Sequence, residues 1–104
     1  MRAVHRAGQL AGGLISAEHR RLRRLFATLD DVGHDASSRT STWMVAQCWD
    51  RISELVLQTG DAALARGVRA VGEHEVGSPA WWRAVGQVAA ATDAHFRRIG
   101  AART

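Results

Sequence analysis

Four stretches of this sequence carry apolar residues at every third or fourth position, and none alternates them in twos. That periodicity restricts the chain to helices that each bury one face. In LISAEHRRLRRLFATLDDV, from Leu14 to Val32, the stripe runs Ile15, His19, Leu22, Phe26 and Leu29, widened by Leu14, Leu25 and Val32. Gly33 offers a stop. After the polar stretch HDASSRTS, Thr40 or Ser41 can cap a second helix. Its stripe is Val45, Trp49, Ile52 and Val56, with Cys48 and Leu55 beside it, and Thr59-Gly60 breaks it. A shorter third helix carries Leu64, Val68 and Val71, with Asp61 on the same line and in the first turn. Ser78 followed by Pro79 is a start signal, a capping hydroxyl and then a proline whose missing N–H costs nothing there. The fourth stripe is Trp82, Val85, Val88, Thr92, His95 and Ile99, ended by Gly100. Thr92 is expected to return its hydroxyl to a carbonyl one turn earlier.

The long segments are each about 27–31 Å at 1.5 Å per residue. Similar lengths joined by short loops predict an all-α, antiparallel up-down-up-down four-helix bundle. The expected division is an N-terminal arm over 1–12, the bundle over 13–100 and a tail over 101–104. A chain of 104 residues supports one modest core. No apolar run approaches the roughly 18 residues that span a bilayer. The basic start lacks the apolar block of a signal peptide. One cysteine, Cys48, cannot close an internal disulfide, so a reducing cytoplasm is the simplest compartment.

All 14 basic residues are arginine, and the net charge is +4. Arg20, Arg21, Arg23 and Arg24 cluster, as do Arg97, Arg98 and Arg103. Such a face is either simply solvated or meets nucleic acid or an acidic partner. No helix-turn-helix spacing, zinc-finger pattern or aromatic RNA-binding motif accompanies it.

Two histidines, His19 and His95, fall on the stripes of the first and last helices, which are neighbours in such a bundle. Facing histidines in a bundle core are a recurrent metal site; the alternative is that each ring is neutral and hydrogen-bonded locally. Asp61 is the candidate third ligand, though an acid in a first turn is expected for helix-dipole reasons alone. Asp50 and Glu54 point outward from the second stripe, and Glu73, His74 and Glu75 form a solvated turn. Four tryptophans, Trp43, Trp49, Trp81 and Trp82, either pack the core and bundle ends or, with Trp49 and Trp82, line a pocket for a planar ligand. An exposed Trp43, or Trp81 beside Trp82, would offer a homodimer face.

LISAEHRRLRRLFATLDD resembles the first helix of hemerythrin-like (HHE cation-binding) proteins. VGSPAWWRAV, followed by AAATDAHFRR, is similar to the last helix of actinobacterial members. WMVAQCWDRISELVLQ resembles the second helix more loosely. The resemblance covers Leu14 to Arg98 and is most specific at Gly77 to Val85. It implies a four-helix bundle around a carboxylate-bridged di-iron centre that binds oxygen or related small molecules. His19 and His95 match family ligand positions. The second helix should carry His-x-x-x-Glu, but Gln58 to Ala62 stand there, without either ligand. Asp61 falls near the place of a third-helix histidine. Ile99 and Gly100 stand where a carboxylate should follow His95. A bridged di-iron site needs about five nitrogen or oxygen ligands.

The resemblance therefore implies a scaffold whose di-iron site is lost. The expected role is a small-ligand-binding or regulatory module without a cofactor, meeting a small molecule or a protein partner. A second expectation is a cofactor-free cyclase- or isomerase-type enzyme using His19 and His95 as acid and base in a tryptophan-lined pocket. A third is a single metal on His19, His95 and Asp61, or non-covalent haem between the two histidines, iron or haem being the cofactor in that case.

Overall fold

The computed structural model describes residues 16–34 and 39–103, with the side chains of 39–41 and 102–103 left aside. Four helices account for nearly all of this: α1 (Ala17–His34), α2 (Arg39–Leu57), α3 (Ala62–Val71) and α4 (Pro79–Arg103). No strand occurs among the described residues. α1 packs most extensively on α2 and α3 on α4; α2 then meets α3 and α1 meets α4, so the all-α four-helix bundle closes into a ring of neighbours. The expected arm over 1–12, and Leu14 and Ile15 of the first stripe, lie outside the described residues.

Three starts show their chemistry. Ser16 Oγ accepts the His19 backbone N–H at 3.1 Å, which caps α1. Asp61 sits just outside α3 rather than in its first turn, with extended backbone, and its Oδ1 accepts the Leu64 N–H at 3.0 Å. Ser78 Oγ accepts the Trp81 N–H at 3.1 Å, and Pro79 opens α4 as its fixed backbone angle favours. α2 begins at Arg39, so Thr40 and Ser41 lie inside it rather than capping it. The turns after α2 and before α4 each use a glycine with positive φ, Gly60 at 74° and Gly77 at 86°.

The core follows the stripes of α1, α2 and α3: Leu22, Leu29, Val45, Trp49, Ile52, Val56, Leu64 and Val71 are buried. Ile52 and Val56 are wholly enclosed, each contributing about 1.5–3 kcal/mol of apolar burial. α4 departs from expectation in three places. Trp81, not Trp82, is its core tryptophan at 1% exposure, and Trp82 is half-buried across Gly33 near the end of α1. The shift brings Trp81 and Ala84 into the core, while Val85, Val88 and Thr92 stay buried as expected. Ile99 is exposed, and the helix is not ended by Gly100 but runs to Arg103. α3 starts near His95 and α1 reaches α4 at Asp93, so the last turns of α4 run past both neighbours. At the other end, α1 continues through Gly33 to His34. Trp43, at 64% exposure, and Met44 stand out from α2, whereas Trp81 offers no surface aromatic. No helix among the described residues is long and apolar enough to cross a membrane.

Candidate functional site

The start of α1, the N-cap of α3 and the last third of α4 come together at one end of the bundle. His19 is buried there on α1, as its stripe requires. Its Nε2–H donates to Asp93 Oδ1 of α4 at 2.6 Å. Asp93 also takes Arg97 Nη2 on Oδ2 at 2.7 Å, one turn along its own helix, and Arg23 Nε stands 3.9 Å from Oδ1. The His19 hydrogen bond first, then the charges of Arg97, His19 and Arg23, hold the Asp93 carboxyl below its usual range despite partial burial. Hydrogen bonds to charged groups contribute about 1.5–3 kcal/mol; the partial exposure of Asp93 pulls this one toward the low end.

His95 forms a second, separate pair. Its Nδ1 lies 3.3 Å from Asp61 Oδ2, with the imidazole side chain 13% exposed. Asp61 thus uses one oxygen to cap α3 and the other to face α4. The Leu64 N–H, with the His95 charge next among the favourable contacts, lowers its carboxyl from the usual value. Between the pairs lies Phe96. Its ring stacks on His19 at 4.9 Å and 10°, and meets His95 edge-on at 5.2 Å and 83°. The two imidazoles therefore share a phenyl neighbour, and each has an acid of its own.

Of the residues marked by the sequence, His19, His95 and Asp61 all reach this end of the bundle. Asp93 was missed: it sits one residue off the α4 stripe, and only the crossing of α1 supplies its reason. Its one sequence signal was an acid four residues before Arg97 in a helix carrying an inward histidine. The tryptophans do not join the site. Trp49 packs edge-on against Trp81 at 6.0 Å, and Trp81 against Trp82 at 4.8 Å. Trp82 stands 13 residues before His95 on one helix, about 20 Å along its axis. A single tryptophan-lined pocket around both histidines is therefore not formed; the indoles and the imidazoles occupy opposite ends of the bundle. Cys48 is half-buried in the α1–α2 contact, its thiol donating to the Leu25 carbonyl at 3.5 Å, and burial pushes its pKa up.

Among the described residues no group of three or more His, Cys, Asp or Glu side chains is placed to hold a metal ion. Thr92, on α4 one residue before Asp93, is 2% exposed, and its Oγ1 makes none of the expected bond to the preceding turn or any other among the described residues. On the outer face of α1, Ala17, Arg20, Arg23 and Arg24 line an open groove of about 420 Å³.

No family model matches the chain, and neither a curated protein nor a solved structure gives a significant match to it.

Proposed function

We propose that this chain is a hemerythrin-like bundle that has lost its di-iron site and serves as a metal-free small-ligand-binding or regulatory module. The observation that carries this reading is the private pairing of the two interior histidines, His19 with Asp93 and His95 with Asp61. A bridging metal site needs acids shared between metals and histidines converging on one point. Here each acid is already committed, Asp93 to His19 and Arg97, Asp61 to the α3 cap and His95. The pairs tie α1 to α4 and α4 to α3, so a ligand that engaged either imidazole would alter how those helices are held. The test is metal analysis of protein purified from iron-supplemented cells, with thermal unfolding before and after chelator treatment. Substoichiometric iron and an unchanged midpoint are expected; stoichiometric iron with an oxo-bridge absorption band rejects the reading.

A second reading is favoured by the His95–Asp61 geometry. A carboxylate at Nδ1 fixes the tautomer and leaves Nε2 as a base, the arrangement general acid–base catalysis uses. Any turnover by the purified protein should then fall to background in His95→Gln while helicity is retained, and an unchanged rate removes this imidazole from the chemistry. A haem plane or a single metal between His19 and His95 is the weakest of the three readings, because Phe96 touches both rings. A featureless visible spectrum after haem addition is the expected result.

A further inference from the structure

Three guanidinium groups of α1 stand together with little neutralising charge among the described residues. Arg20, Arg23 and Arg24 are exposed and line the groove together with Ala17. Arg20 stands three residues from Arg23 and four from Arg24, so like charges meet across one turn of the helix, an arrangement that destabilises it. Among the described residues neither Arg20 nor Arg24 has an ion-pair partner. Arg23 has only Asp93 at 3.9 Å, and that carboxylate is already bonded by His19 and Arg97 at 2.6 and 2.7 Å. Arg21, three residues from Glu18, is not part of the lining.

We propose that this groove binds a short phosphate chain, free or carried on a nucleotide, with Arg20, Arg23 and Arg24 as its ligands. Guanidinium forks suit phosphate oxygens because they donate two parallel N–H bonds to one group. Arg20 to Arg24 rise only about 6 Å along the helix axis. That span matches neighbouring phosphates of one chain rather than the six to ten or so contacts that give a protein firm hold of duplex DNA. The groove lies on the outer face of α1, so its occupancy and the iron content of the interior are separate measurements with separate outcomes.

Calorimetric titration at moderate salt with inorganic tripolyphosphate, with adenosine triphosphate and with a short DNA duplex tests the assignment. Saturable binding of tripolyphosphate at one per chain is expected. A similar affinity for the nucleotide shows that the phosphate chain alone is read; a tighter one shows that the nucleotide is the natural carrier. The double variant Arg20→Gln with Arg24→Gln should weaken binding by about tenfold or more, as the loss of two charge-assisted contacts requires. Arg66→Gln with Arg69→Gln removes the same charge from the exposed face of α3 and should leave binding within about twofold, the change expected from lost long-range attraction alone. Circular dichroism confirms that both variants stay helical. Absence of saturation, equal weakening by the two double variants, or tighter binding of the duplex than of tripolyphosphate overturns the proposal.

Discussion

Replacing Thr92 by valine should stabilise the protein, an unusual direction for a substitution in a packed core. The residue is 2% exposed and its Oγ1 has no hydrogen-bond partner among the described residues. Folding thus strips water from a hydroxyl and returns nothing, a cost of about 1–3 kcal/mol. Valine replaces the hydroxyl by a methyl on the same branched frame, so it leaves no cavity, and its helix propensity is close to that of threonine. A net gain of about 1–2 kcal/mol follows, with the lower half of the range favoured because the added methyl must fit its neighbours. For a domain of this size that is a rise in Tm of roughly 4–15 °C. Urea unfolding followed by circular dichroism should show a higher midpoint at unchanged slope. Thr92→Ser is the control: it keeps the hydroxyl, loses a methyl and should cost about 1 kcal/mol. If valine instead lowers the midpoint, the hydroxyl has a partner, a buried water or a ligand, one turn from His95 and Phe96. The reading of Thr92 as a buried hydroxyl without a partner would then be wrong.

Gly33→Ala drives a Cβ into the Cη2 edge of Trp82, so the indole must move. The alanine gain of about 1 kcal/mol in helix propensity is then outweighed by overpacking of about 1–3 kcal/mol. A lower Tm and an altered near-ultraviolet tryptophan signal are expected; a higher Tm would show that Trp82 swings aside freely. Asp93→Asn should flatten the acid limb of stability. The Asp93 carboxyl is lowered from 3.8, so its contribution is full above that value and fades as pH falls below it. Wild-type protein should therefore lose more stability than the variant on descending through this window, and parallel curves would remove Asp93 from the acid response. Ile52→Ala removes a wholly enclosed side chain from α2 and should cost about 2–5 kcal/mol by chemical denaturation. A cost below about 1 kcal/mol would mean that α2 does not carry the core.

The helices were legible because periodicity reports burial directly. Val45, Trp49, Ile52 and Val56 need no partner sequence to declare an inner face, and Ser78-Pro79 declares a start by local hydrogen bonding alone. The register of α4 was less legible. Two adjacent tryptophans give two stripes that share Val85 and Val88, and the packing of Trp81 against Trp49 decides between them, a tertiary fact. The site was half legible for the same reason. An inward histidine shows in one helix, but the acid that completes it comes from another, off the stripe, where it reads as a solvated charge. Asp93 is such a case: beside Arg97 it looks like an ordinary surface pair, and only the approach of His19 gives it a second role. The functional meaning of the histidines turns on those acids. Two imidazoles served by acids converging on a common point would describe a metal centre. Two imidazoles served by different acids, with a phenyl ring against both, form a pair of clasps between helices. The chemistry of His19 and His95 thus depends less on their positions than on Asp93, Asp61 and Phe96, of which the stripe pattern marks only Asp61.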